Sequence, residues 1–196
     1  NLIYSSAVLE STDVALISED LNNIIISWSN AAENIFGFTE EEAVGQGCSL
    51  IVPEEFLDEE NDIGARIKKG EKIRNYQAIR KRKDGNRIFI TLTIFPLRNS
   101  DNVIIGASKI IRDITLQKAN EERQAMFAAI IDSSDDAIIS KDLNGIITSW
   151  NSSAERIFGY KEQEMVGKSI TRIIPPLYLG DEDIILSKIR KGEKID

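Results

Sequence analysis

Two β-branched runs, VALIS (14–18) and IIISW (24–28), flank the polar turn EDLNN (19–23). That pattern predicts a short hairpin. Asn30-x-x-Glu33 then reads as a capping box opening a short helix, and Gly37 as its left-handed stop. TEEEAVG (39–45) predicts a further helical turn ending at Gly45, Pro53 breaks the next segment, and 56–69 reads as a helix ending at Gly70. NYQAIRKRK (75–83), a turn at Asp84-Gly85 and RIFITLTIFPL (87–97) form a long predicted hairpin. After a turn at Asn99–Asn102, VIIGASKIIRDIT (103–115) is the last strand. Ile88, Ile90, Leu92 and Ile94 alternate with Phe89, Thr91, Thr93 and Phe95. The Ile/Leu set is assigned to the core, and the other set to a helix or partner. TLQKANEERQAMFAAIIDS (115–133) places Leu116, Arg123 and Ile130 seven residues apart, with Ala119, Met126 and Phe127 near a second seam. It predicts an amphipathic connecting helix of about 15 residues, consistent with a coiled coil or with a helix packed on its own domain.

The same order then begins again. STDVALISEDLNNIIISWSNAAENIFGF from Ser11 returns as SSDDAIISKDLNGIITSWNSSAERIFGY from Ser133, a constant offset that runs without a gap to IKKGEKI and IRKGEKI. About half of the aligned positions are identical, far above chance, so one fold is present twice. In the second copy Asn144-Gly145 makes a hairpin turn, Ser152-x-x-Glu155 repeats the capping pattern, and Gly159, Gly167 and Pro175 repeat the punctuation. The second copy stops at Asp196, the counterpart of Arg74, so it lacks the last three strands. The expected consequences are a fragment of a longer protein and strand edges covered by another molecule or a swapped element.

Composition narrows the chemistry. The chain has 196 residues, a formal charge of −8, no histidine and one cysteine. Without histidine there is no Ser-His-Asp or Cys-His catalytic pair, no His-ligated zinc or haem, and no phospho-accepting histidine in these residues. No acid–base constellation stands out, and no enzyme activity is expected of the chain. Net acidity argues against nucleic acid. Cys48 has no internal disulfide partner, no apolar stretch approaches a membrane span, and NLIYSSAVLE is not a signal peptide. A cytoplasmic location without membrane contact is expected. The first 62 residues hold 14 acidic side chains and no Lys or Arg, and RIKKGEKIR with RKRKDGNR concentrates the basic ones. These charges read as solvated faces. DEEND lacks calcium-loop spacing, and no metal site is expected.

ISxDLNxxIxSW, AxExxFGF/Y, the VG pair, KKGEKI, RKDGNRIFITLTIFPLR and the closing GASKIIRDIT, in that order, resemble the PAS family of sensory domains. The series looks most like PAS arrays at the input end of bacterial sensor histidine kinases. The resemblance implies an α+β fold: a five-stranded antiparallel sheet, order 2-1-5-4-3, with helices on one face around a small cavity. The implied organisation is a first domain over 1–117 with an N-terminal helical extension, a connecting helix over 118–130, and an incomplete second domain over 127–196. It also implies that Asp113, Ile114 and Thr115 join the sheet to a signalling helix leading to the next module.

The expected role is a sensory and dimerisation region of a two-component signalling protein. Its parent is expected to be a histidine kinase with a downstream effector domain. A homodimer through PAS surfaces or the connecting helix is the expected assembly. Two alternatives stand beside it: a ligand-free structural relay, and a flavin-binding redox or light sensor. Trp28, Phe36, Cys48, Ile51, Ile90, Leu92, Ile94 and Ile111 are the pocket candidates, with core packing the plainer role for each. Cys48 aligns with the reactive cysteine of the flavin-binding LOV branch. However, Gly47 and Ser49 depart from that motif, and Arg80, Ile90 and Ile111 stand where the branch has flavin-binding amides. An apolar wall would leave flavin carbonyls unpaired, so no cofactor is expected, a non-covalent flavin or small organic ligand being the alternative.

Overall fold

The structure, a computed structural model, describes residues 14–190. The expected N-terminal extension over 1–13 and the end of the repeat over 191–196 lie outside them. The chain divides into two compact units after Asn120.

In the first unit, β1 (Val14–Asp20), β2 (Ile25–Trp28), β3 (Ile73–Lys81), β4 (Arg87–Arg98) and β5 (Ile104–Asp113) form one sheet in the order β2-β1-β5-β4-β3. Neighbouring strands are antiparallel throughout. This is the sheet expected from the sequence. The period-2 assignment also holds: Ile88, Ile90, Leu92 and Ile94 are buried, whereas Phe89 on the opposite face is exposed. Gly106 permits the close approach of β1 and β5, since a Cβ there would lie 2.1 Å from the Glu19 carbonyl oxygen.

Helices α1 (Asn30–Phe36), α2 (Glu40–Ala43) and α3 (Leu57–Lys68) supply the cover. Ala32, Ile35 and Phe36 of α1, Ala43 of α2, and Ile63 and Ile67 of α3 join the inner sheet face in one buried cluster. The expected capping boxes are corrected here. The N-cap of α1 is Ser29, whose hydroxyl accepts from Ala32 N, and its counterpart is Asn151. Glu33 and Glu155 instead accept from the backbone N–H of Glu40 and Glu162. They therefore tie each helix to the next one. The first unit's capping box is Thr39 with Glu42, which starts α2. Gly37 and Gly159 do end their helices in the left-handed region, at φ 80° and 78°.

The connecting helix α4 spans Thr115–Ser133, longer than the expected 118–130, and none of its residues is buried. Beyond it the second unit repeats the opening of the first. β6 (Ile139–Lys141) pairs with β7 (Ile147–Trp150), followed by α5 (Ser152–Phe158), α6 (Glu162–Met165) and α7 (Leu179–Arg190). Isolated bridges recur at matching positions, Ile24 with Gly47 and Ile146 with Ser169. Ile147, Trp150, Ala154, Met165 and Ile170 form its core.

Candidate functional site

Seven of the eight pocket candidates, Trp28, Phe36, Ile51, Ile90, Leu92, Ile94 and Ile111, fall in one buried cluster. Trp28 packs its ring 5.5 Å from Phe36 and donates its indole N–H to the Phe38 carbonyl at 2.9 Å. Trp150 repeats both contacts, with Phe158 and with the Tyr160 carbonyl. The repeated tryptophan is therefore a packing anchor whose one polar atom is satisfied inside its own unit.

Cys48 is buried too, but it lies against charge. Glu19 on β1, Glu60 on α3, Arg80 on β3 and Lys109 on β5 are all 5% exposed or less. Arg80 Nη2 donates to Glu60 Oε2 at 2.6 Å, and Lys109 Nζ donates to Glu60 Oε1. Lys109 Nζ also lies 2.9 Å from Glu19 Oε2, which has no geometrically sound hydrogen bond. Glu59 stands 3.6 Å from Arg80 at the more exposed side of the group. Two buried carboxylates and two buried cations thus balance inside the apolar layer. Such groups are held there only by mutual pairing.

The sequence reading placed these charges on solvated faces; Arg80 and Glu60 correct it. A signal for them was present. Glu19 continues the inward series Ala15, Ile17, and Lys109 falls between Ala107 and Ile111. Arg80 follows Ala78, and Glu60 shares the stripe of Ile63 and Ile67. A charge on an apolar stripe must find a partner or face water, and only the fold shows which.

The electrostatics follow from burial and neighbours. Desolvation pushes the Glu19 carboxyl above its ordinary range, with Lys109 offsetting part of the effect. Desolvation also acts on Glu60, but Lys109 and Arg80 outweigh it and hold that carboxyl below its ordinary range. Burial opposes charge on Lys109, and Glu60 and Glu19 overcome it, keeping the ammonium above its ordinary range. Burial pushes the Cys48 thiol up to about 12. Donor atoms of Glu19, Cys48 and Glu60 lie within 4.8 Å of one another. The Lys109 ammonium pairs with both carboxylates of that trio. The trio is a salt-bridge site for lysine. A crevice of about 10 Å3, room for about one water, adjoins it between Glu19, Asn23, Gly64, Ile67, Gly106 and Ala107.

The predicted relay residues meet at the sheet–helix junction. Asp113 pairs with Arg82 of the β3–β4 hairpin at 2.7 Å and accepts from the Thr115 backbone N–H at 2.8 Å. Thr115 Oγ1 accepts from Phe89 N, and Ile114 N donates to Phe89 O. Ile114 itself is buried. Thr115, the first residue of α4, is therefore bonded to Asp113 of β5 and to Phe89 of β4, and Ile114 just before it is bonded to Phe89 as well.

The far end of α4 is bound as well. Asn151, 5% exposed, donates to the carbonyls of Ile131 and Asp136, and its Oδ1 accepts from Ile138 N and Ala154 N. Asp132 accepts from the Ser152 hydroxyl at 2.5 Å, and Ser153 donates to the Ser134 carbonyl. Its alignment with the Ser29 cap was visible in the repeat; the grip on α4 was not.

Among the described residues no helix is long and apolar enough to cross a membrane. A PAS domain family model matches residues 12–116, and a PAS fold model matches 125–194. Curated relatives include phytochrome B of Arabidopsis thaliana, 23% identical over 175 residues, covering 83% of this chain and 15% of its own length. Phytochrome E of Ipomoea nil is 26% identical over 176 residues, covering 83% of this chain and 16% of its own. The chain thus spans about 15% of the length of the curated relatives it matches. The PAS domain of a Colwellia psychrerythraea protein superimposes with TM-score 0.53 at 25% identity, over 58% of this chain and 97% of that one. An RNA-binding Light-Oxygen-Voltage receptor gives TM-score 0.55 at 17% identity, over 65% of this chain and 37% of that one, a likeness of fold alone. With a family match on each copy and the β2-β1-β5-β4-β3 sheet in the first, the chain belongs to the PAS family and is a tandem PAS region.

Proposed function

We propose that this chain is a sensory and dimerisation region of a larger signal-transduction protein, a cytoplasmic sensor histidine kinase with a downstream effector domain. Changes in the first PAS unit leave the sheet at Asp113-Ile114-Thr115, enter α4, and reach the second unit. The observation that carries this reading is the junction itself. Asp113 and Thr115 bond the start of α4 to β4, β5 and the hairpin arginine, so altered strand packing must alter the way the helix departs. The role is non-catalytic: the ionisable groups of the core are committed to one another.

The packing favours a relay that works without a bound cofactor. Ile90, Ile94 and Ile111 are fully buried among their neighbours, and Arg80, at a flavin-amide position, is spent on Glu60. In this reading the input arrives through a partner or a neighbouring domain rather than through a flavin or small organic ligand. Asp113→Asn and Thr115→Val in the full-length parent test it. Both are expected to uncouple stimulus from output while thermal unfolding of the first unit stays close to wild type. Unchanged signalling in both variants overturns the relay.

A further inference from the structure

The inner face of the first unit carries its charges in register. Arg80 lies on β3, and Arg82 follows two residues later, just past the last residue of that strand, Lys81. On β5, Lys109, Ile111 and Asp113 alternate along one face. Glu60 reaches down from α3 to hold both Arg80 and Lys109. Two residues beyond Arg80, Arg82 holds Asp113, and Asp113 accepts from Thr115 N at the start of α4. β5 thus ends at the aspartate that Arg82, one residue past the end of β3, also holds.

We propose that these residues form an ionic ladder, Glu60 to Arg80 and Lys109, then Arg82 to Asp113, that carries displacement of α3 to the departure point of α4. The proposal rests on Asp113 and Thr115 being the output junction, and it names the input end as Glu60. The physical reason is the contrast between the two kinds of contact α3 makes. Ile63 and Ile67 meet the sheet through apolar surface, which is non-directional and tolerates sliding. Glu60 meets it through charged hydrogen bonds in a low-dielectric layer, which are directional and either made or broken. A shift of α3 that the apolar contacts absorb therefore reaches β3 and β5 as a discrete change in who pairs with Arg80 and Lys109. Glu19 and Glu59 are the alternative partners, each with a buried oxygen lacking a proper hydrogen bond. The ladder thus contains a second pairing as well as the first, which a two-state element requires.

Amide hydrogen exchange on the 196-residue chain tests this with Glu60→Gln, Asp113→Asn and the double variant. Glu60→Gln is expected to raise exchange at Thr115–Asn120 about tenfold, while the β4 amides away from the junction stay protected. In the double variant the two effects should not add, because both act through one chain of contacts. Glu71→Gln, which removes the exposed pair with Arg66 outside the ladder, serves as the control and should leave the start of α4 unchanged. If Asp113→Asn loosens α4 and Glu60→Gln does not, the ladder is wrong and the junction stands. Additive effects, or a loss of protection across β4 as large as that in α4, also overturn the ladder. If Asp113→Asn itself has no effect on α4, the junction fails and the ladder falls with it.

Discussion

Glu60 is the residue on which the interior charges depend. Replacing it with leucine strands Arg80 and Lys109 with too little negative charge, at a cost of about 3–5 kcal/mol. Replacing the whole group together, Glu19→Leu, Glu60→Leu, Arg80→Met and Lys109→Met, should leave stability near that of the parent, because the desolvation cost leaves with the pairing. Urea unfolding of the two variants checks the contrast. The two acids also respond to pH with opposite signs. The folded Glu60 carboxyl is held below its ordinary value, so its stabilisation is present above about pH 4.3 and is lost as pH falls through the lower folded value. The folded Glu19 carboxyl is raised, so its contribution is fully present below about pH 4.3 and is lost as pH rises through the higher folded value. Glu60→Gln should therefore be most costly near neutral pH, and Glu19→Gln least costly there. Unfolding titrations from about pH 7 to about pH 3 should show the gap between the two variants narrowing. A gap that widens on acidification would reverse the assignment.

At the scale of elements, the two copies differ in the residue that caps their first helix. Ser29 accepts from Leu16 N and caps α1, while Asn151 makes the equivalent contacts with Ile138 and Ala154 and adds two carbonyls, Ile131 and Asp136. Serine has one short hydroxyl; asparagine has an acceptor and two donors at greater reach. Asn151→Ala should destabilise the second unit by about 2 kcal/mol and release the last turn of α4. Ser29→Ala should cost about 1 kcal/mol, the ordinary value of a lost cap. Exchange protection at Ile130–Ser133 distinguishes them, falling in the first variant and not in the second. The elements themselves were readable in advance because period-2 runs and glycine stops are local physics. Ile88 through Ile94 and Gly37 behave as their neighbours in sequence demand. The capping boxes were misplaced by one residue because a carboxylate three positions into a helix has two backbone targets. Glu33 takes the one in α2, which the local pattern does not contain.

For the whole molecule, α4 leaves Leu116, Met126, Phe127 and Ile130 exposed, with Leu116 at 76%. The homodimer proposed above would bury such side chains against a second copy. Met126→Glu with Ile130→Glu should then lower the association constant by at least tenfold, about 1.4 kcal/mol, without changing the melting of either unit. Sedimentation velocity across a concentration series is the measurement. A parent chain that stays monomeric throughout would end the proposal, and a variant that associates as before would move the interface off the helix.

The residues alone determined that one fold occurs twice, that its sheet is antiparallel with an Ile/Leu inner face, and that a helix joins the copies. Each is fixed by periodicity, turn chemistry or self-similarity, which act over a few neighbouring positions. The placing of Glu19, Glu60, Arg80 and Lys109 against one another was decided by the tertiary structure, because it depends on four elements far apart in the chain converging on one buried point. The same is true of Arg82 with Asp113 and of Asn151 with the end of α4. A charged side chain carries the same solvation cost wherever it is written in the sequence, and the partner that offsets it exists only once the chain has folded.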